Sequence, residues 1–150
     1  MTSRDKKRAW FFQANPDKYD IHKALSNSRY NVMTWEVTRY FKQNDEGSFI
    51  KKGDSVFIWV SGNKPGIYAI AEVIEDPSVR AEFPDDEGWF IRPKKNARRA
   101  LLEIKEKKYI SRKELQGRGV TQPPISEFYQ AINFEINQET WEIIKDILEN

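Results

Sequence analysis

Residues 53–73 read GDSVFIWVSGNKPGIYAIAEV, and they decide the fold. The apolar run VFIWV is interrupted by the polar, turn-forming SGNKPG before IYAIAEV resumes the apolar pattern. This arrangement predicts two strands joined by a tight connection. Trp59 stands one residue before the turn, which leaves two interpretations open. It fills the core of the hairpin, or it forms one wall of a small-molecule pocket.

The segments before this hairpin predict two more strands and a helix. RAWFFQ, at residues 8–13, is rich in aromatic residues and ends at the turn-forming ANPD, so it predicts the first strand. Asp20 stands where it can cap a short helix over IHKALSN. VMTWEV, at residues 32–37, contains the β-branched and aromatic residues that strands favour.

The segments after the hairpin are more charged. SVRAEFPDDEG, which follows Asp76-Pro77, predicts a surface loop. WFIRP at residues 89–93 and RALLEIKEKKYI at residues 99–110 favour strands. A helix over residues 97–108 stays open as the alternative for the second of these segments.

Two helix signals complete the pattern. Ser111 and Glu114 have the spacing of a capping box, which predicts a short helix to about Leu115. Asn137 predicts the cap of a closing helix, whose apolar face carries Trp141, Ile144, Ile147 and Leu148. Strands with short helices around one core predict a single α+β domain over residues 1–150, closed as a small mixed β-barrel.

Composition limits the classes of function. The chain has no cysteine and one histidine, which excludes disulfides, thiolate chemistry and a multi-histidine metal site. His22 is expected at the surface, and Asp85 to Glu87 lack the ligand spacing of a calcium loop. We therefore expect no metal, cofactor or catalytic residue. No segment is apolar enough to span a membrane and no signal peptide is evident, so we expect a cytoplasmic protein.

The charge distribution is uneven although the net charge is only +2. Residues 92–118 contain 11 basic and 3 acidic residues, a net charge of +8. This density suits a polyanionic partner such as nucleic acid, and solvated lysines on a strand or helix face are the alternative. Phosphate contacts are expected from five residues of this segment, which are Arg92, Lys94, Lys95, Arg98 and Arg99.

Aromatic residues make up 13% of the chain. A single tryptophan beside a polar turn is readily explained as a core residue whose N–H reaches a carbonyl. Trp35 and Trp59 are different, because each is predicted near a strand end that approaches the loop after residue 13. Asn15 and Ser61 supply hydrogen-bonding groups there. Aromatic faces with a few polar groups are what a planar base requires.

Four segments carry a resemblance to a known family. FFQANPDKYDI, TWEVTRY and GDSVFIWVSGNKPGIYAIAEV, followed by INFEINQETWEII, resemble in order and spacing the EVE domain, a branch of the PUA-like superfamily similar to YTH domains. The resemblance implies a small mixed β-barrel with peripheral short helices and a C-terminal helix. It also implies recognition of DNA or RNA that carries a modified base, with the base flipped into a pocket.

The resemblance assigns roles to particular residues of this sequence. It implies a loop bordering the pocket formed by Gln13, Asn15 and Pro16, walls formed by Trp35 and Trp59, and a polar rim at Ser61 and Gly62, with Tyr19 and Tyr68 as adjacent candidates. The leading hypothesis is a non-catalytic reader without a cofactor. One alternative is a nucleotide- or nucleic-acid-modifying enzyme that uses the same pocket with Asp54 or Glu72 as acid or base. Another is a module that binds a protein or a small metabolite. The oligomeric state stays open.

Overall fold

A computed structural model describes residues 8–14, 21–26, 32–37, 50–79, 98–125 and 133–149. Their elements in chain order are β1 (Ala9–Ala14), α1 (Ile21–Ser26), β2 (Val32–Glu36), β3 (Ser55–Val60), β4 (Gly66–Val79), β5 (Arg98–Ser111), α2 (Arg112–Gly117), β6 (Asn133–Glu135) and α3 (Gln138–Glu149). The strands form one sheet in the order β2-β5-β4-β3-β1-β6. β1 and β3 pair in parallel, and the other neighbours pair antiparallel.

The predicted α+β class is confirmed as a curled mixed sheet with short helices and a C-terminal helix. The segment at residues 99–110 belongs to strand β5, which excludes the helical alternative. Both predicted caps are present: Ser111 Oγ accepts from the backbone N–H of Glu114 at 3.0 Å, and Asn137 Oδ1 accepts from that of Thr140 at 2.8 Å. The predicted strand at residues 89–93 and the Asp20 cap lie outside the described residues.

Strand β4 is longer than the sequence predicts. It continues through Asp76-Pro77 to Val79, where the pattern predicts a loop from Ser78 onward. The register against β5 skips these two residues, because Glu75 lies opposite Leu101 and Ser78 opposite Arg99. A proline has no N–H for a ladder hydrogen bond, and a bulge removes the need for one. The strand therefore tolerates the proline that argued against it.

Both faces of the sheet are apolar. One cluster contains side chains of β1 to β5 together with α1, and includes Trp10, Phe12, Ile21, Trp35, Ile58 and Leu102. The other lies on the opposite face, between the sheet and α2 and α3, and includes Phe11, Phe57, Trp59, Leu115 and Ile144. Neighbouring residues of a strand point to opposite faces, so the continuous apolar runs of β1 and β3 fill both clusters.

The buried carboxylate of Asp54 fixes the start of the parallel pair. Its side chain is 0% exposed and accepts hydrogen bonds from the backbone N–H of Arg8 at 3.1 Å, the indole Nε1–H of Trp10 at 3.0 Å and the backbone N–H of Lys51 at 3.0 Å. Its backbone carbonyl accepts from the N–H of Val73 at 2.9 Å. One residue therefore connects β1, the turn before β3, and β4.

We predict that Asp54→Asn destabilises the protein. An amide can direct only one oxygen at these three donors and turns its own N–H₂ toward the others, and each buried donor left without a partner costs about 1–3 kcal/mol. Urea unfolding followed by tryptophan fluorescence measures the loss. Asp76→Asn is the matched control, because Asp76 accepts from the backbone N–H of Lys52 at an exposed position. Equal stability losses in the two variants would contradict the structural role of Asp54.

The two edge strands of the curled sheet meet through a side chain. Asn133 of β6 is fully buried, and its Nδ2–H₂ donates to the backbone carbonyl of Glu36 in β2 at 3.1 Å. β2 and β6 stand at opposite ends of the strand order. The amide of Asn133 therefore bridges the seam between these two edges.

We predict that Asn133→Asp loosens this seam. A carboxylate offers no N–H to the carbonyl of Glu36, and the replacement buries a charge beside an oxygen. Hydrogen exchange should then accelerate in β2 more than in β3, since β3 keeps both of its strand neighbours. Uniform acceleration across the sheet, or none, would contradict the bridging role.

Candidate nucleic-acid interface

The predicted polar rim and the end of β1 lie together. The backbone N–H and the Oγ of Ser61 both approach the carbonyl of Ala14, at 3.5 and 3.4 Å. Gly62 follows with a φ of 109°, a backbone conformation that favours glycine, so the turn needs a glycine at this position. Gln13 precedes Ala14 and is half-buried. Three further predicted pocket residues, Asn15, Pro16 and Tyr19, lie outside the described residues.

Trp35 lies in the cluster that contains α1. Its side chain is 7% exposed, and its ring centroid is 6.1 Å from that of Phe12 in β1. Phe12 lies two residues before Ala14, the residue that Ser61 contacts. This places an aromatic ring of β2 near the end of β1 that borders the predicted rim.

Trp59 lies on the other face of the sheet. It is 2% exposed, and its ring meets Phe11 edge-on with the centroids 6.2 Å apart. Gln13 lies opposite Trp59 in the parallel register. The structure does not bring Trp35 and Trp59 together, because they belong to separate clusters. These contacts favour the first interpretation of Trp59, that of a core residue behind the hairpin.

Tyr68 belongs to a row of rings at the surface. Its ring lies 4.9 Å from that of His22 on one side and 4.8 Å from that of Tyr109 on the other, measured between centroids. The hydroxyl of Tyr68 donates to the backbone carbonyl of Lys64 at 2.6 Å, and Lys64 Nζ lies 5.6 Å from the centroid of Tyr109. His22 is at the surface, as predicted. We call these four residues the tyrosine row.

We predict that Tyr68 ionises later than an ordinary tyrosine. Burial raises the pKa of its hydroxyl, and the neighbouring Tyr109 raises that pKa further. A raised folded-state pKa disfavours the tyrosinate, so this group lowers stability as the pH rises above about 10. Absorbance at 295 nm should show a late-titrating component that Tyr68→Phe removes. An unchanged titration curve in Tyr68→Phe would contradict the assignment.

The predicted phosphate contacts divide into three groups. Arg92, Lys94 and Lys95 lie outside the described residues, and Arg98 is described for its backbone in β5 alone. Arg99 is 2% exposed, and its guanidinium donates to Thr34 Oγ1 at 2.9 Å and to the Thr34 carbonyl at 3.1 Å. This buried guanidinium attaches β2 to β5, which differs from the expected surface role.

Other cations of the basic segment also have protein partners. Arg118 forms an ion pair with Asp146, and Lys105 forms one with Glu103 and lies 3.9 Å from Glu72. Part of the excess positive charge is therefore compensated locally. The sequence count of net charge alone does not identify which cations face solvent.

The two carboxylates that an enzyme was expected to use are both engaged. Asp54 is buried and accepts from three donors, and Glu72 lies beside Lys105. Within the ranges described, no group of three or more His, Cys, Asp or Glu side chains is arranged to hold a metal ion. No helix in this part of the chain is both long and apolar enough to cross a membrane.

Comparison with known proteins identifies the family. The model of the EVE domain matches residues 8–147. The chain belongs to the EVE domain family. This confirms the resemblance seen in the sequence, and it covers the N-terminal strand, the hairpin and the closing helix together. No curated protein sequence matches this EVE domain.

Solved structures similar to this EVE domain include human THYN1 in complex with DNA containing 5-methylcytosine. That chain is 13% identical, with a TM-score of 0.61, and the match covers 96% of this chain and 99% of that one. A protein from Pseudomonas putida is 15% identical, with a TM-score of 0.63 and coverage of 93% and 98%.

A third similar structure is a YTH domain bound to RNA. The YTH domain of MRB1 from Zygosaccharomyces rouxii, in complex with N6-methyladenosine RNA, is 12% identical with a TM-score of 0.54. The match covers 99% of this chain and 89% of that one. At these identities the likeness concerns the fold, and it confirms the PUA-like α+β architecture.

Proposed function

We propose that this EVE domain binds nucleic acid that carries a modified base, and that Trp35 forms a wall of the pocket that receives the base. The observation that carries the proposal is the approach of Trp35 to Phe12, near the end of β1 that Ser61 contacts. The aromatic ring packs against Phe12, and the polar turn contacts Ala14, two residues further along the same strand. A planar base requires this combination.

The similar structures support the chemical class of the ligand. Human THYN1 was solved with DNA containing 5-methylcytosine and the MRB1 YTH domain with N6-methyladenosine RNA. Both ligands present a methylated base. We propose that the ligand of this chain is a modified base of the same kind, in DNA or in RNA.

The energetics indicate where selectivity arises. Extruding a base from a duplex costs a few kcal/mol, and stacking on an aromatic ring contributes about 1–3 kcal/mol per base. One buried methyl group adds about 0.8 kcal/mol. A methyl group therefore supports only a small preference by its own burial. Strong discrimination needs polar groups that read the edge of the base, for which the turn at Ser61 and Gly62 and the segment after Ala14 are the candidates.

Trp59 has a different role in this proposal. Its position behind the sheet makes it a support of the hairpin rather than a wall for the base. Tyr68 stays with the pocket as a proposed neighbour, together with Asn15, Pro16 and Tyr19, which lie outside the described residues. Gln13 alternates with Phe12 and Ala14 and lies on the Trp59 side of the sheet, so it can border the pocket only from the end of β1. We propose a binding role without catalysis, because the two carboxylates considered for acid–base work are occupied by protein partners.

The test compares matched oligonucleotides with and without the modification. Fluorescence anisotropy measures the dissociation constants of 5-methylcytosine DNA and N6-methyladenosine RNA against their unmodified partners. We predict that the parent protein prefers one modified strand and that Trp35→Ala removes this preference, since the stacking wall is lost. Mass spectrometry should recover the bound oligonucleotide unchanged, and a converted base would favour the enzyme alternative.

Trp59→Ala is the matched control, because it removes the same side chain from the opposite face. Loss of a buried tryptophan costs about 3–5 kcal/mol in stability, so both alanine variants are compared with Trp35→Phe and Trp59→Phe at a temperature where circular dichroism shows all four folded. Trp59 variants should keep the preference. Absence of any preference in the parent, or equal loss in both series, would contradict the proposal.

A further inference from the structure

The tyrosine row contains the large apolar side chain that the described part of the chain exposes most. Tyr109 is 45% exposed, and no other large hydrophobic residue in the described ranges is classed as exposed. A single exposed aromatic side chain is common at a protein surface and needs no ligand to explain it, so the neighbours of Tyr109 decide whether it forms a site. Its contacts with Tyr68 and Lys64 therefore raise the question of what ligand it meets.

The ring of Tyr109 is held in place by its neighbours. Tyr68 packs against it, and the hydroxyl of Tyr68 is itself fixed on the carbonyl of Lys64. Gly66 leaves space for the ring, because a Cβ at that residue would stand 2.9 Å from Cε1 of Tyr109. A ring that is already fixed loses little conformational entropy when a ligand stacks on it.

The charges beside the row favour an anionic ligand. Lys64 lies over Tyr109, and Lys23 follows His22 in α1. Lys107 lies on the same face of the sheet as Tyr68. It is opposite Ala69 in the register of β4 and β5, and Ala69 belongs to the cluster against which Tyr68 packs. Glu106 is the acidic residue of β5 nearest to Tyr109 in the sequence, and it lies on the opposite face. It is opposite Ile70, which packs against the other cluster. An exposed ring among lysines matches a stacked base with its phosphate.

The row also adjoins the proposed pocket. Lys64 belongs to the same turn as Ser61, and Ser61 contacts the end of β1. Tyr68 packs against the cluster that contains Trp35. For a nucleic-acid strand with one base beside Trp35, this turn is the candidate position for the neighbouring nucleotides.

We infer that the tyrosine row is a second stacking site, which takes an unmodified base that flanks the modified one in a single strand. Tyr109 supplies the ring, and Tyr68 and His22 support it. The base displaces Lys64 from its position over the ring of Tyr109, and Lys64 then contacts the adjacent phosphate. The site adds affinity without reading the modification, because every base has a face that can stack. This inference rests on the proposed function for the position of the flanking base.

The test is a double-mutant cycle in which Tyr109 is changed in the protein and one flanking base is removed from the oligonucleotide. Single-stranded oligonucleotides with the modified base are prepared with one abasic nucleotide at each of three positions on either side. Tyr109→Ala should weaken binding of the complete strand by about 5- to 160-fold. At one flanking position the abasic strand should bind the parent and Tyr109→Ala equally, because the stacking partner is already absent. Tyr109→Phe keeps the ring and should bind as the parent does.

Lys64→Ala tests the phosphate contact. Lys64→Ala should make the plot of log affinity against log salt concentration less steep, by about the amount expected for one phosphate contact. Lys113→Ala is the control, because Lys113 lies on the exposed surface of α2, and it should leave this slope unchanged. Two results would overturn the inference: binding by Tyr109→Ala within twofold of the parent, or an equal loss on complete and abasic strands at every position.

The two proposals fail separately. The ratio of affinities for modified and unmodified strands tests the pocket, and Tyr109→Ala is expected to leave that ratio unchanged. Coupling between Tyr109 and a flanking base tests the row. Coupling without a modification preference supports the row and overturns the pocket, and a preference without coupling does the reverse. A parent protein that binds no strand overturns both.

Discussion

The carboxylate of Asp54 is the constraint on which the parallel pair depends. A parallel pair cannot be made by a two-residue turn, and here the connection between β1 and β3 runs through α1 and β2. The start of β1 therefore needs its own attachment to the start of β3. Asp54 provides it by accepting from Arg8 and Trp10, while the N–H of Ser55 donates to the carbonyl of Arg8 at 3.0 Å. Shifting β1 by one residue would exchange its two faces and place Phe11 where Phe12 lies.

Both faces of the sheet carry packed apolar clusters. One cluster includes α1 and the other includes α2 and α3, so the proposed ligand site lies at the ends of strands and the turns between them. Trp35 and Tyr68 lie toward one cluster, and Trp59 toward the other. The seam closed by Asn133 brings β2 against the β1 side of the sheet, which gives the ring of Trp35 its contact with Phe12. The hydrogen bond of Asn133 that closes the sheet therefore also holds the proposed pocket wall, Trp35, in position.

Local pattern in the sequence predicted most of the described elements, but it missed β6 and the end of β4, and it did not predict how the faces of the strands combine. Alternation showed the hairpin of β3 and β4, and the short-range signals of Ser111 and Asn137 located two helix starts. Alternation shows that Trp59 and Val60 point to opposite faces of β3. It does not show which face of β2 lies on the same side of the sheet as Trp59, because both faces of these strands are apolar. The prediction that Trp35 and Trp59 form two walls of one pocket was wrong for that reason. Arg99 was misjudged because charge predicts exposure, and its partner Thr34 is 65 residues away in the chain. Six residues assigned to the pocket loop or to phosphate contacts, among them Asn15 and Lys94, lie outside the described ranges.

The strand order also determines when β1 can become stable. Phe11 pairs with Phe57 on one side and with Phe134 on the other, so both of its neighbours come from far along the chain. Closing such long loops costs entropy before any contact forms, whereas β3 and β4 are adjacent and pair across a short turn. During synthesis β1 leaves the ribosome before both of its partner strands, β3 and β6. Until β6 has formed, the strand that contains WFF has one edge without its partner, and an unpaired apolar edge favours aggregation during folding.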